Sequence, residues 1–147
     1  MPTATEAEIA QLVAELDRGR QAWISGTLET TATDHMVQDD AMTLFGPFGG
    51  EAVMPGPMQA KIAALFHGGT GRCELVKAMA DGDLLVLVMI ERNDVTFEGR
   101  TTPQPWMLRT TQVFQRDGTR WRRLHRHADP LIARRSLDDT LAIAATP

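Results

Sequence analysis

The sequence predicts an α+β fold in which helices come first and an antiparallel sheet follows. Three observations favour this class. Apolar residues recur at helical spacing near the N-terminus, the period changes to that of strands after Arg72, and the hairpin turn Arg116–Thr119 joins the last two strand-like segments. Helices followed by strands are typical of α+β proteins. At 147 residues we expect one domain, with a core over about residues 5–130 and a tail over residues 131–147.

Three helices are predicted in the first half of the chain. The first begins at a capping box formed by Thr5 and Glu8 and carries a stripe of apolar residues. The second covers Thr27–Val37, where several threonines lower the helix propensity. The third begins at Pro57, whose fixed φ suits a first helical position, and is expected to stop at Gly68-Gly69.

Most of the remaining chain is predicted to form strands. The segment Leu84–Ile90 is apolar on both faces, which indicates a central strand that is covered on both sides. Asn93–Gln104 is predicted to be a polar connection, and Ser136 is predicted to begin a short helix in the tail. The predicted strands cover residues 41–45, 74–79, 84–92, 108–115 and 120–129.

Composition and charge exclude several classes of function. The net charge of -4 argues against a general affinity for nucleic acid or for an anionic membrane surface. No leader-like apolar segment and no apolar run of a membrane span's length is present, so we expect a cytoplasmic protein without a membrane partner. The single Cys73 cannot form an internal disulfide, and the glycines of residues 46–50 lack the lysine of a phosphate-binding loop. We therefore expect no cofactor.

Three local segments carry a resemblance to a known superfamily. They are DDAMTLFGPFGG (39–50), LRTTQVFQRDGTRW (108–121) and LHRHADP (124–130). Together with the predicted order of helix, helix, strand, helix and four long strands, they make the chain similar to the NTF2-like superfamily, which includes SnoaL-like and ketosteroid-isomerase-like proteins. The last hairpin also resembles the association domain of calcium/calmodulin-dependent kinase II. The likeness covers about residues 5–130.

The resemblance implies a cone in which a curved antiparallel sheet and three N-terminal helices enclose an apolar pocket for a small molecule. It also implies a homodimer formed through the convex face of the sheet. On this basis the convex face carries Trp121, Arg123, His125 and His127. The pocket is expected to be lined by Thr110, Gln112, Phe114, Leu124, Arg126, Ala128, Val86, Val88 and Ile90.

Arg126 is the most informative charged residue of the expected pocket, because a buried guanidinium needs a counter-charge. Two interpretations remain open. Arg126 either forms a structural ion pair with a carboxylate of the protein or contacts an anionic or carbonyl-bearing ligand. The candidate partners within the chain are Glu91, Asp40 and Glu74. Gln112 has both a donor and an acceptor among apolar neighbours, so it either orients a ligand or bonds to the backbone.

Three residues are candidates for acid–base chemistry: His35, His127 and Asp129. Each has a structural alternative. The histidines can be interface or hydrogen-bonded structural residues, and Asp129 lies before a proline, where a turn role is common. The spacing of His125 and His127 would let both bind one metal ion together with Asp129, but a lone His-x-His pair is a weak signal, and no metal site is predicted.

The steroid-isomerase mechanism of the superfamily is not predicted for this chain. That mechanism needs a carboxylate base and two oxyanion donors, a tyrosine and a protonated aspartate. By the same resemblance the base position holds Gly46, the position of the protonated aspartate holds Thr110, and the tyrosine position falls near Gly19; the chain contains no tyrosine.

Two functional hypotheses remain. The first is a cofactor-independent enzyme of isomerase, cyclase or lyase type that transfers a proton on an apolar, carbonyl-bearing substrate. In that enzyme Arg126 or Gln112 polarises the carbonyl oxygen. The second is a non-catalytic ligand-binding or association domain. The surroundings of Arg126 discriminate between the two. A guanidinium neutralised by a protein carboxylate, in a pocket with no free titratable group, favours the second, whereas a free guanidinium beside an unpaired histidine or aspartate favours the first.

Overall fold

A computed structural model of the chain describes residues 2–27, 35–50 and 58–145. An N-terminal helix is followed by a curved five-stranded sheet with a short helix after its first strand, and another helix closes the chain. The elements are α1 (Glu6–Ile24), β1 (Met36–Phe45), α2 (Met58–Ala63), β2 (Phe66–Asp81), β3 (Leu84–Phe97), β4 (Gln104–Asp117), β5 (Arg120–Pro130) and α3 (Leu137–Ala144). The predicted α+β class is confirmed.

Helix α1 begins at the predicted capping box and packs on one side of the sheet. The Oγ1 of Thr5 accepts a hydrogen bond from the backbone N–H of Glu8 at 3.2 Å, and the Glu8 carboxylate accepts one from the N–H of Thr5 at 2.8 Å. We call the side of the sheet that faces α1 the inner face and the opposite side the outer face. The main core lies between α1 and the inner face and contains Leu12, Leu16, Met36, Leu85, Leu87, Met89, Phe114 and Trp121. Burial of each such side chain stabilises the fold by roughly 1.5–3 kcal/mol.

The sheet is mixed, with the strand order β1-β5-β4-β3-β2. Strands β2 to β5 form an antiparallel meander, whereas β1 pairs with β5 in parallel. The expectation of an antiparallel sheet is therefore wrong for β1. A parallel pair needs a long connection between its strands, and here α2 and three strands of the meander lie between β1 and β5.

Two predicted helices need correction. Residues 28–34 of the second one lie outside the described residues, and its last two residues belong to β1. The third ends at Ala63, and β2 already begins at Phe66. Gly69 lies within β2 and does not stop a helix. A Cβ atom at this position would collide with the backbone of Asp94 on β3, so glycine permits the close approach of the two strands.

The predicted polar connection Asn93–Gln104 is much shorter in the structure, because β3 continues to Phe97 and β4 begins at Gln104. Asn93 is only 2% exposed, and both ends of its amide are bonded: Oδ1 accepts from Arg20, and Nδ2 donates to the carbonyl oxygen of Trp106. A buried polar side chain is tolerated in a strand when its hydrogen bonds are satisfied. The short helix predicted at Ser136 is confirmed, since Ser136 caps α3.

Candidate functional site

A β-bulge in the last hairpin determines which side chains of β5 face α1. The pairing between β4 and β5 shifts by one residue, which leaves Leu124 as an extra residue in β5. Side chains of a strand normally alternate between the two faces, and one extra residue reverses the alternation beyond it. Arg123 and Arg126, although three positions apart, therefore both lie on the inner face.

The bulge overturns part of the predicted orientation of β5. Trp121 and Arg123 were expected on the convex face, but Trp121 is 2% exposed within the main core and Arg123 is 3% exposed and lines a cavity. Leu124 was expected in the pocket, but it is not among the residues that line the cavity. His125 and His127 pair with outer-face residues of β4 and so lie on the outer face, as predicted.

The predicted orientation of β3 is also wrong. Val86, Val88 and Ile90 lie on the outer face, whereas Leu87 and Glu91 lie on the inner face. The segment is apolar on both sides, so its sequence contains no alternation from which the inner residues could be recognised. The orientation follows only from the pairing of β3 with its neighbours, which brings Glu91 beside the cavity.

A cavity of about 190 Å³ lies between α1, α2 and the inner face. Its mouth is aromatic: Phe48 is 52% exposed and lies 5.6 Å from Trp106, whose ring meets Phe66 edge-on at 5.7 Å, measured between ring centroids. The remaining apolar lining includes Trp23, Ile24, Met42, Leu44, Ile62 and Leu108. Apolar walls of this kind favour binding of an apolar molecule over water.

Arg126 forms an ion pair with Glu91 inside this cavity. The distance between Nη2 of Arg126 and Oε2 of Glu91 is 2.8 Å, and the two side chains are 21% and 7% exposed. Arg126 extends across the inner face from β5 to β3, over the intervening strand β4. Glu91 is one of the three carboxylates that the sequence offered as partners, and it neutralises the guanidinium within the protein.

Arg123 holds the amide oxygens of two glutamines. Its Nη1 donates to Oε1 of Gln112 at 3.0 Å, and its Nη2 donates to Oε1 of Gln38 at 2.7 Å. All three side chains line the cavity, and Gln112 is 2% exposed. Gln112 was predicted as a ligand-binding residue. Gln38 was not, because its position depends on the parallel pairing of β1 with β5, for which the local sequence has no signal.

A third polar cluster lies where α1 crosses β2 and β3. Arg20 donates to Oδ1 of Asp17 at 3.0 Å, to Oδ1 of Asn93 at 2.8 Å and to the carbonyl oxygen of Gly71 at 2.9 Å. Burial alone raises the pKa of Asp17, but the bonds from Arg20 and from the backbone of Cys73 outweigh it and lower that pKa below its usual range. With all these bonds satisfied, Arg20 fixes one wall of the cavity. This cluster is not predicted from the sequence.

Cys73 also lines the cavity, but its surroundings suppress its reactivity. Burial is the largest effect, followed by the nearby charges of Glu91 and Asp17, and together they raise the pKa of the thiol to about 12. Since the thiolate is the nucleophilic form, Cys73 is a neutral, inert part of the wall at neutral pH.

The three acid–base candidates are not among the described residues that line the cavity. His35 precedes β1, and its Nδ1 lies 2.9 Å from Oε1 of Glu15. His127 and Asp129 lie together on the outer face, where Nε2 and Oδ1 are 3.0 Å apart and both side chains are almost half exposed. The structure therefore does not bring these candidates together with Gln112.

The other predicted pocket residues lie beside the cavity. Thr110, Phe114 and Ala128 share the inner face and are buried, but none of them is among the cavity-lining residues. Phe114 packs in the main core, and the hydroxyl of Thr110 donates to the carbonyl oxygen of Met89 at 3.5 Å. Of the residues predicted to line the pocket, Gln112 and Arg126 do so.

Neither a metal site nor a membrane span is found in the part of the chain that the structure describes. No three histidine, cysteine or carboxylate side chains in it are grouped so that they could hold a metal ion. None of its helices combines the length and the apolar character needed to cross a bilayer.

Comparison with known proteins identifies the fold. No protein-family model and no curated protein sequence matches the chain. Among solved structures, an NTF2-like protein from Cytophaga hutchinsonii matches with a TM-score of 0.59 and 12% identity, covering 87% of this chain and 100% of the other. LinA matches with a TM-score of 0.58 and 14% identity, covering 87% and 94%. A protein from Thiobacillus denitrificans, assigned as a calcium/calmodulin-dependent protein kinase type II association domain, matches with a TM-score of 0.50 and 19% identity, covering 90% and 100%.

Proposed function

We propose that this chain, which has the NTF2-like fold, binds a small, largely apolar organic molecule in the cavity between α1 and the inner face. The volume of about 190 Å³ suits a ligand with one ring and a short substituent, because an apolar cavity of roughly 150 Å³ admits benzene. The aromatic mouth formed by Phe48 and Trp106 matches such a ring in shape and polarity.

The observation that carries this proposal is the arrangement of charge around the cavity. Arg126, which could have been an anion receptor, is neutralised by Glu91 at 2.8 Å. Arg20 is likewise bonded to Asp17 at 3.0 Å. A mostly apolar wall with a few fixed polar groups is typical of small-molecule sites, in which the polar groups orient the ligand. Because Glu91 neutralises Arg126 and the candidates His35, His127 and Asp129 are not among the described residues that line the cavity, binding is favoured over catalysis.

The test is binding of ethylbenzene to the purified protein, measured by NMR titration. We expect saturable binding in the wild type. Ile62→Trp, which fills the cavity from α2, should weaken binding at least tenfold (roughly 1.4 kcal/mol). The matched control is Ile132→Trp, at a position that is 49% exposed and not among the cavity-lining residues. Unchanged affinity in Ile62→Trp would contradict the proposal.

An enzyme of isomerase, cyclase or lyase type is the second candidate, and one observation favours it. Glu91 is the one carboxylate among the described residues that line the cavity, and its side chain is 7% exposed. A buried carboxylate beside a bound carbonyl compound can remove a proton from the adjacent carbon. Deuterium exchange into the methyl group of acetophenone in heavy water measures this step. Exchange that the wild type accelerates and Glu91→Gln does not would support an enzymatic function. Exchange no faster than in buffer without the protein would support binding alone.

We also infer that the outer face joins two copies of the chain. Val76, Met79 and Leu84 are 60%, 44% and 48% exposed near the turn between β2 and β3. Val88 and Ile90 add apolar side chains on the outer face of β3, where they pair with Lys77 and Glu74 of β2. Light scattering should give the mass of a dimer for the wild type and of a monomer for Val88→Lys. The association-domain assignment of the Thiobacillus denitrificans neighbour is compatible with this face serving assembly.

A further inference from the structure

We propose that Arg123 orients the amides of Gln38 and Gln112 as a pair of hydrogen-bond donors for a carbonyl oxygen of the ligand. This inference rests on the proposed binding function and specifies the class of compound that the cavity takes. Arg123 lies on β5, between β1, which contributes Gln38, and β4, which contributes Gln112. Three neighbouring strands therefore bring these side chains together.

The guanidinium determines which way each amide points. An arginine side chain has five N–H donors and no acceptor, so the atom that faces it must be the amide oxygen. Both oxygens are bonded to Arg123, at 3.0 Å for Gln112 and 2.7 Å for Gln38. Each NH2 group must then point away from the guanidinium, and the rotation that would exchange oxygen and nitrogen is blocked by the loss of these bonds.

The two amide nitrogens are available to a ligand. Within residues 2–27, 35–50 and 58–145, neither Nε2 atom has a hydrogen-bond partner, and neither is among the fully buried polar atoms that lack one. Both side chains line the cavity. Both nitrogens therefore reach open space beside the cavity, where an acceptor on the ligand can bond to them.

A carbonyl oxygen fits these donors better than a carboxylate does. It has two lone pairs and can accept one hydrogen bond from each amide. The donors themselves are uncharged, and the carboxylate of Glu91, which lines the same cavity, is already paired with Arg126. That pair therefore has no net charge with which to attract an anionic ligand.

Three ligands of similar size test the inference on the intact protein: acetophenone, ethylbenzene and benzoate. Acetophenone differs from ethylbenzene by the carbonyl oxygen, and benzoate replaces the ketone with an anion. We expect acetophenone to bind roughly fivefold more tightly than ethylbenzene, since one net hydrogen bond has about that effect. The side-chain amide signals of Gln112 in the nitrogen–proton NMR spectrum should shift with acetophenone more than with ethylbenzene.

A glutamate variant separates the donor from the acceptor of the amide. Gln112→Glu retains an oxygen for Arg123 but removes both N–H donors of that amide. The ratio of acetophenone affinity to ethylbenzene affinity, measured within the variant, should then fall from about fivefold to about twofold or less, because the Gln38 amide alone remains. Gln38→Glu makes the same change at a half-buried position and should reduce the preference in the same direction. Gln115→Glu adds an equal charge at an exposed position of the same strand and should leave the preference intact.

The outcomes distinguish this inference from the proposed function. Equal affinity of acetophenone and ethylbenzene for the wild type would overturn the inference and leave the binding function in place. Tightest binding of benzoate would overturn the carbonyl class in favour of an anion. Failure of all three compounds to bind would remove the proposed function and, with it, this inference.

Discussion

The inner and outer faces of strand β5 both carry titratable side chains, but they hold them in opposite ways. On the inner face, Arg123 is 3% exposed and bonded to two glutamines, and Arg126 reaches Glu91 across the sheet. On the outer face, His127 and Asp129 form a pair in which both side chains are almost half exposed.

The difference shows where specific recognition can occur. Removing one partner of a solvated pair on the outer face costs little free energy of unfolding, because water takes the place of the lost partner. Charges on the inner face need partners of fixed geometry, because they are largely removed from water. The conspicuous His-x-His segment therefore belongs to the less constrained face, while the arginines between and before the two histidines organise the cavity.

The largest expected effect tests the orientation of β3. Leu87 is 0% exposed on the inner face and Val88 lies on the outer face, so neighbouring residues should respond very differently to truncation. We expect Leu87→Ala to lower the free energy of unfolding by about 3–4 kcal/mol and Val88→Ala by about 1 kcal/mol. Urea unfolding measures both. A larger loss of unfolding free energy for Val88→Ala than for Leu87→Ala would mean that Val88, and not Leu87, faces the core.

The next effect compares the carboxylates of the two faces directly. Glu91→Gln leaves the partly buried guanidinium of Arg126 without its counter-charge, and we expect a loss of about 2–3 kcal/mol in the free energy of unfolding. Asp129→Asn is the same chemical change on the outer face and should cost less than about 1 kcal/mol. If the two variants unfold at the same urea concentration, the faces do not differ as described.

A smaller effect concerns an ion pair at the N-terminus of α1. The hydrogen bond from Arg116, followed by that from the backbone of Thr5, lowers the pKa of Glu8 from 4.5 to about 2. Because the pKa is lower in the folded state, the stabilisation is complete above pH 4.5 and is lost as the pH falls towards 2.

We therefore expect Glu8→Gln to cost about 1 kcal/mol at pH 7, a value reduced for solvent screening because a third of the Glu8 side chain is exposed. The difference from the wild type should shrink between pH 5 and pH 2. Glu6→Gln, in the same helical turn, is the control, and an equal pH dependence in that variant would contradict the role of Glu8.

The smallest effect leaves stability unchanged and concerns Cys73. With a pKa of about 12 instead of 9.0, its thiolate fraction at pH 8 is about a thousandfold smaller than that of an ordinary cysteine. Labelling by a disulfide reagent should be slower than in the urea-unfolded protein by at least a hundredfold. Labelling at equal rates in the folded and unfolded protein would show that this wall of the cavity opens readily.

The sequence contains the information for those elements that depend on local contacts. The capping box at Thr5, the hairpin turn before Arg120 and the cap at Ser136 are each formed by residues a few positions apart, and all were predicted correctly. Gln112 and Arg126 could also be recognised as polar residues of the inner face.

The remaining features depend on pairing between distant segments. The extra residue Leu124 and the outer orientation of Val88 follow from strand register, which an apolar or irregular segment does not specify locally. The parallel pairing of β1 brings Gln38 to Arg123 over 85 positions of the chain. For this reason the amide pair, which carries the most specific functional inference, was invisible in the sequence.

The central claim is that the inner face contains the ligand site and the outer face does not. The most direct test is an NMR titration of the uniformly labelled protein with ethylbenzene, which reports every residue near the bound molecule. We expect the largest shifts at cavity-lining residues such as Trp106, Leu108 and Ile62, and small shifts at His125 and His127. Shifts confined to the outer face, with the signals of Trp106 unmoved, would contradict the account.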